Sequence, residues 1–196
     1  MTAGTDTPRR LQIEEVASAL FRERGYAATS VRDIAQALNL QGGSLYAHMA
    51  SKEDVLWSIV TRAADKFNSQ LGPVAEATEA SPADRLANMI RAHVGVVTSI
   101  QKDAAVFLHE WRFLSSARRE EMQARRDAYE ALFRDVISAG VEQGEFREVD
   151  VKTSAMAILS ALNGIPTWYR PSGPLTADQI ADEHADLFLR ALESPR

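Results

Sequence analysis

Apolar residues along the chain recur at intervals of three and four, and no run of useful length alternates at two, so the pattern predicts helices throughout. Leu11, Val16, Ala17, Leu20 and Phe21 mark one face of the first segment, behind a start signal at Thr7-Pro8 and ahead of a stop at Gly25. Ser30 with Asp33, Ser51 with Asp54, Ser81-Pro82 with Asp84 and Thr176 with Gln179 place a capping hydroxyl three residues before a polar partner, and so mark further starts. The pattern predicts nine helices, near 8–24, 31–38, 42–49, 52–70, 82–101, 104–113, 116–142, 151–166 and 177–192. Gly72-Pro73 and the Ala/Glu/Thr-rich stretch to Ala80 form the expected internal boundary.

Composition then removes whole classes of function. A chain of 196 residues makes one domain or two small ones. It has no cysteine, which excludes disulfides, iron–sulfur clusters, thiolate zinc and cysteine catalysis. The net charge of −5 excludes a bulk polycation that holds nucleic acid by charge alone, so any nucleic-acid reading rests on a local site. No apolar run approaches the roughly 18 residues of a membrane span. The start, MTAGTDTPRR, carries no apolar signal segment, and the expected setting is the cytosol. The four histidines are far apart in sequence, and neither a His-Glu-x-x-His pattern nor a glycine-rich phosphate loop occurs. No catalytic residue, metal site or cofactor is predicted.

Residues 30–49 carry the sharpest local signal: a short helix, a tight turn and a second short helix. Ile34, Ala35 and Leu38 face inward, and Asn39 sits where the turn needs a left-handed residue, a role asparagine fills second only to glycine. The second helix opens Gln41-Gly42-Gly43-Ser44. Two glycines there cost about 1 kcal/mol each against alanine, which points to close approach of the backbone to another molecule. A phosphate at that helix start would meet N–H groups and the positive dipole end. Ser44, Tyr46 and His48 add a hydroxyl, a phenol and an imidazole, while Leu45 and Met49, four apart, can anchor the helix. Lys52 stands at a helix start, where the dipole disfavours a cation and an external anion would explain it. The bland alternative is a solvated turn with a surface lysine. The combined spacing favours a helix-turn-helix whose second helix enters the major groove.

Thr29-Ser30-Val31-Arg32-Asp33-Ile34-Ala35, Gly43-Ser44-Leu45-Tyr46-Ala47-His48-Met49 and Ser51-Lys52-Glu53 together resemble the signature of the tetracycline-repressor (TetR) family. The resemblance implies an all-α fold: a tail at 1–7, a helix-turn-helix DNA-binding domain at 8–68, and a ligand-binding and dimerisation domain at 69–196. It implies a homodimeric repressor of a palindromic operator in double-stranded DNA, released by a small-molecule effector. Carried over by position, Ser30, Gln41, Gly43, Tyr46, His48 and Lys52 would contact phosphates, with Arg32 and Ser44 nearest the base edges. Gly42 belongs to the same contact stretch, but many members carry a longer polar or basic residue there, which suggests fewer direct base contacts. Met49 replaces the family's usual aromatic, and Asn39 its usual glycine.

Beyond residue 80 the candidates are ligand contacts. His93 shares an apolar face with Leu86, Met89, Ile90 and Val97, and reads either as a core histidine or as a ligand contact. In the segment 116–142, Met122, Tyr129, Phe133 and Val136 form a stripe with Arg118, Arg119, Arg125 and Arg126 beside it. Those arginines either pair locally, Glu121 with Arg125 and Arg126 with Glu130, or receive an anionic ligand head at the mouth of an apolar pocket. Trp111, Arg112 and Phe113 lie just upstream and could add stacking surface. Gly144-Glu145-Phe146-Arg147 and Trp168-Tyr169-Arg170-Pro171-Ser172-Gly173-Pro174-Leu175-Thr176, with the arginine-rich helix, are similar to the branch of the family that senses acyl-coenzyme A thioesters in fatty-acid, phenylacetate and steroid-ring breakdown. The candidate ligand residues are therefore His93, Trp111, Arg112, Arg119, Met122, Arg126, Tyr129, Phe133, Trp168 and Arg170. An uncharged lipophilic or aromatic effector, as for an efflux operon, is the alternative. The helix near 151–166 has two faces, Ile158, Leu159 and Leu162 on one and Ala157, Ala161 and Gly164 on the other, and with the last helix (Ile180, Leu187, Phe188, Ala191) it resembles the family's dimer interface; intramolecular core reads equally from sequence.

Overall fold

The computed structural model describes residues 8–40 and 45–193. These form eight α-helices: α1 Pro8–Arg24, α2 Val31–Ala37, α3 Lys52–Ala75, α4 Pro82–Ser99, α5 Gln101–His109, α6 Ser116–Glu142, α7 Val151–Trp168 and α8 Ala177–Leu192. A 3-10 turn, Trp111–Phe113, joins α5 to α6. The first residues of the helix expected at 42–49 (Gln41 to Ser44 among the candidates) lie outside the described residues. From Leu45 the backbone makes one turn, with the N–H groups of His48 and Met49 donating to the Leu45 carbonyl at 2.9 and 3.2 Å.

The helices start where capping chemistry placed them. Ser30 and Thr176 each close a reciprocal capping box, with Asp33 and Gln179. Ser81 accepts from the Asp84 N–H, and Ser51 from the Asp54 N–H at 3.0 Å. Two helix ends run further than expected. α3 continues through Gly72-Pro73, because a proline in the last turn loses only one backbone bond, and the Arg85 guanidinium donates to the Ala75 carbonyl beyond it. The segment expected at 104–113 starts at Gln101 and breaks at His109 before the 3-10 turn.

Packing divides the chain into two compact units, Met1–Ala63 with Lys102–Met122, and Ala64–Gln101 with Gln123–Arg196. The first packs α1 on α2 and buries Ile13, Phe21, Ile34, Leu45, Leu56 and Ile59, each worth about 2 kcal/mol of burial. In the second, α4 packs on α8 and α7 around Leu86, Met89, Ile90, Phe133, Ile158 and Leu162. The Gly144 turn (φ 76°) brings Phe146 onto Gly140, where the ring fills the space a Cβ would need. Arg147 then donates its N–H to Leu192 and its Nε–H to Ala191, at 2.9 and 3.0 Å, and ties down the end of α8. That tetrapeptide is thus a clasp. α7 buries Ile158 and Leu162 but leaves Met156, Ala157, Ala161 and Trp168 exposed, and α8 leaves Leu187 61% exposed.

Candidate nucleic-acid interface and effector core

In the first unit, Ile34 and Ala35 seat α2 in the core, and the turn after it is made by Asn39 at φ 54°, the left-handed residue the sequence called for. Leu45 and Met49 are buried and hold the second element by its inner side. Arg32, Tyr46 and His48 are exposed, Tyr46 by 58%. Ser30 is exposed, but its hydroxyl is engaged: it donates to Asp33 at 2.6 Å and accepts the Asp33 N–H at 3.2 Å. The hydroxyl's bond, with the Ser30 N–H that also donates to the Asp33 carboxyl at 2.7 Å, holds that carboxyl below its ordinary range.

Lys52 has an internal partner set. Its ammonium donates to the carbonyls of Tyr26 and Thr29 at 2.8 and 2.7 Å and lies 4.1 Å from the Tyr26 ring centre. Burial lowers its pKa, with Asp33 opposing. No external anion is needed to explain a cation at that helix start; the lysine satisfies the loop between α1 and α2.

Several bracing residues escaped the sequence reading. Glu14 is 1% exposed and receives both Arg10, at 3.1 Å, and Arg62. Arg62 also reaches Asp103 at 3.0 Å, and Asp103 accepts from Ser18 at 2.6 Å. A second brace ties residues 110–118 to the start of α3. Glu110 accepts the Tyr26 N–H at 3.0 Å, Phe113 stacks on Tyr26 with centroids 5.6 Å apart, and Glu53 accepts the Ser115 N–H at 3.1 Å. Arg118 pairs with Glu53 at 3.3 Å and Asp54 at 2.6 Å. The bonds from Ser115 to Glu53, and from Ser51 and then Arg118 to Asp54, hold both carboxyls low. A cleft of about 290 Å³ opens among Arg10, Glu14, His48, Asp54, Trp57 and Arg118. Apart from Arg10 with Glu14 and Ser51 with Asp54, these partners lie far apart in sequence, so no local spacing signals them.

In the second unit, His93 is 2% exposed on α4, and its Nδ1 lies 2.9 Å from the Tyr129 hydroxyl on α6. Phe67 of α3 meets both rings, 5.0 Å from His93 and 5.7 Å from Tyr129, and Phe133 lies 5.9 Å from Tyr129. Burial pushes the His93 pKa down to about 3, while a side-chain hydrogen bond with Asn163 of α7 acts the other way. Burial raises the Tyr129 pKa. Both side chains are therefore neutral at ordinary pH. Phe67 was readable as the middle of the Ala63–Phe67–Leu71 stripe.

The remaining ligand candidates are divided. His93, Arg126, Tyr129, Phe133, Trp168 and Arg170 belong to the second unit, and Trp111, Arg112, Arg119 and Met122 to the first. Met122 is buried, Trp111 and Arg126 are half-buried, and Arg112, Arg119, Trp168 and Arg170 are exposed. Burial lowers the Arg126 pKa, with Asp127 opposing. Arg118 and Arg125 bond acids on another helix, Arg125 reaching Asp65 at 2.9 Å. Among the described residues no group of acids and histidines could hold a metal, and no helix is long and apolar enough to cross a membrane.

The family described as "Bacterial regulatory proteins, tetR family" matches residues 13–59, and "Tetracyclin repressor-like, C-terminal domain" matches 79–192. The transcriptional repressor KstR2 of Mycobacterium tuberculosis is 32% identical over 189 residues, 95% of this chain and 94% of its own. The structure of that ketosteroid transcriptional regulator superposes with a TM-score of 0.90 at 30% identity over the whole of both chains. PfmR of Thermus thermophilus gives 0.82 at 39% identity, over 93% of this chain and 99% of the other. AibR, in complex with isovaleryl coenzyme A and operator DNA, gives 0.81 at 32% identity, over 91% and 97%.

Proposed function

The chain belongs to the TetR family and is a transcriptional repressor rather than an enzyme; from that premise we propose that it acts as a homodimer on a palindromic operator and leaves the DNA when an acyl-coenzyme A thioester binds its C-terminal region. The DNA part is supported by Arg32, Tyr46 and His48 standing exposed on a helix-turn-helix whose inner positions are buried. By their place in the motif Gln41, Gly42, Gly43 and Ser44 would contact the duplex, and Ser30 and Lys52 hold the frame of the motif. The thioester part is carried by one observation, the likeness along most of both chains to AibR with isovaleryl coenzyme A and operator DNA. In the second unit, Arg126 and Arg170 would receive the nucleotide phosphates as forked donors, and Trp168 would stack. Phe133 and the His93–Tyr129 core would meet the acyl part. Met156, Ala157 and Ala161 of α7 with Leu187 of α8 would form the dimer face, since an apolar stripe of that kind needs cover.

Release requires that ligand prefer the conformer whose reading helices are misplaced for successive major grooves. The neutral, aromatic surroundings of His93 favour a second reading, an uncharged lipophilic effector. Fluorescence anisotropy on duplex from upstream of the protein's own gene separates the two. Binding should weaken steeply with salt, isovaleryl- or octanoyl-coenzyme A should release it, and Arg126→Ala should blunt that release. An operator dissociation constant unmoved by saturating thioester, but raised by an uncharged aromatic, would replace the first reading with the second.

A further inference from the structure

The loop between α1 and α2 closes on itself and sets an exposed cation beside the reading motif. α1 ends at Gly25 (φ 84°), whose N–H donates to the Phe21 carbonyl at 2.9 Å. The buried Thr29 hydroxyl donates back to the Gly25 carbonyl at 2.9 Å. The Lys52 ammonium bonds the Tyr26 and Thr29 carbonyls within the same loop. Arg24, immediately before Gly25, and Ser30, immediately after Thr29, therefore stand at the two mouths of one pinned loop. The charge of Arg24 reaches the Asp33 carboxyl, to which Ser30 donates. Among the described residues, Arg24 pairs only with its chain neighbour Glu23, at 3.8 Å, and the two side chains are 51% and 69% exposed. Such a pair contributes little. Other cations of the unit are more firmly engaged: Arg10 and Arg62 on Glu14, Arg118 on Glu53 and Asp54. Lys52 spends two of its three donors on carbonyls.

We propose that Arg24 is a further contact to the DNA backbone, its guanidinium taking a phosphodiester oxygen on the strand nearest Ser30. The contact deepens the operator reading above and rests on the motif meeting duplex DNA. It adds affinity and fixes register without reading sequence. The helix dipole alone does not account for the residue, because the last turn of α1 carries both Arg22 and Arg24 and suits a cation at either. Two residues apart on a helix, their side chains leave it about 200° apart, so the two exposed arginines cannot meet the same strand. Arg22 is therefore a control of equal charge on the same helix turn. A forked guanidinium can hold two phosphate oxygens at once, which a lysine there could not.

The test is fluorescence anisotropy of the full-length protein on two duplexes, one from upstream of its own gene and one with the same bases shuffled. Each is titrated over a salt series with wild type, Arg24→Ala, Arg24→Lys and Arg22→Ala, and each protein's Tm is measured alongside. A phosphate contact adds about 0.9 to the slope of log affinity against log salt. The advantage of wild type over Arg24→Ala should therefore shrink about threefold per protomer between about 50 and about 200 mM salt. The loss should be alike on both duplexes. Arg24→Lys should keep the slope, and Arg22→Ala should change neither slope nor affinity. If Arg24→Ala keeps the wild-type slope, or Arg22→Ala lowers it as much, the contact is refuted. A lowered Tm with an unmoved slope would give Arg24 a purely structural role and refute it equally. If the two duplexes bind alike while Arg24→Ala still lowers the slope, the contact stands and the operator reading falls. If wild type binds neither duplex, both fall.

Discussion

Mild acid should weaken this protein through one buried imidazole. In the unfolded chain His93 takes up a proton near its ordinary pKa of 6.5, whereas burial pushes the folded value down to about 3. Between those values the unfolded state binds more protons, so stability is full above about pH 6.5 and falls as pH drops below it. From about pH 7.5 to about pH 5 the loss is roughly 2 kcal/mol, some thirtyfold in the folding equilibrium. Glu53 and Asp54 do not contribute in that window, because their lowered values act only below the ordinary carboxylate range. The assay is urea denaturation followed by circular dichroism at the two pH values, on wild type and His93→Phe at one protein concentration. The informative quantity is the difference of differences, in which the other histidines cancel. Wild type should lose about 2 kcal/mol more than the variant. Parallel pH profiles would mean that His93 is protonated in the fold or reaches solvent, and would undo the neutral-core reasoning.

Other substitutions test the braces. Glu14→Gln leaves Arg10 and Arg62 facing an uncharged amide in a buried place, and should cost about 3 kcal/mol in the same denaturation assay. Arg118→Ala removes two half-screened ion pairs and should lower stability by only about 1 kcal/mol; a loss several times larger would show that the contact is worth more than its exposure allows. Gly140→Ala puts a methyl into the space of the Phe146 ring and should cost about 2 kcal/mol, seen as a lowered Tm. Asn39→Ala, at φ 54°, should cost about 1 kcal/mol, and Asn39→Gly should be tolerated.

What the sequence disclosed was local. Capping pairs such as Ser30 with Asp33 and Thr176 with Gln179 act over three residues, so their spacing can be read directly, and so can the left-handed turn at Asn39. The inward positions Leu45 and Met49 followed from helical periodicity. What stayed hidden joins distant segments. Lys52 looked like a cation awaiting an anion because its carbonyl partners, Tyr26 and Thr29, precede it by more than twenty residues. For Arg118 and Arg125 the sequence leaves ion pairing and an anionic ligand open, because the acids they bond, Asp54 and Asp65, are some sixty residues away. The end of α3 was misplaced for a similar reason: Gly72-Pro73 reads as a break, and the guanidinium that closes the helix comes from Arg85.

The interrupted make-up of the first unit bears on how such proteins can be recombined. Residues 102–122 contribute Asp103, Glu110, Phe113 and Arg118 to the unit that carries the reading motif, although some forty residues of another unit intervene in the chain. A chimera made by cutting once after the helix-turn-helix would inherit one half of each brace from a different parent. Arg62 would face whatever the other parent carries in place of Asp103, and Glu53 and Asp54 whatever replaces Arg118. Specificity exchanged between relatives should therefore survive when the two segments travel together, and fail when the first travels alone.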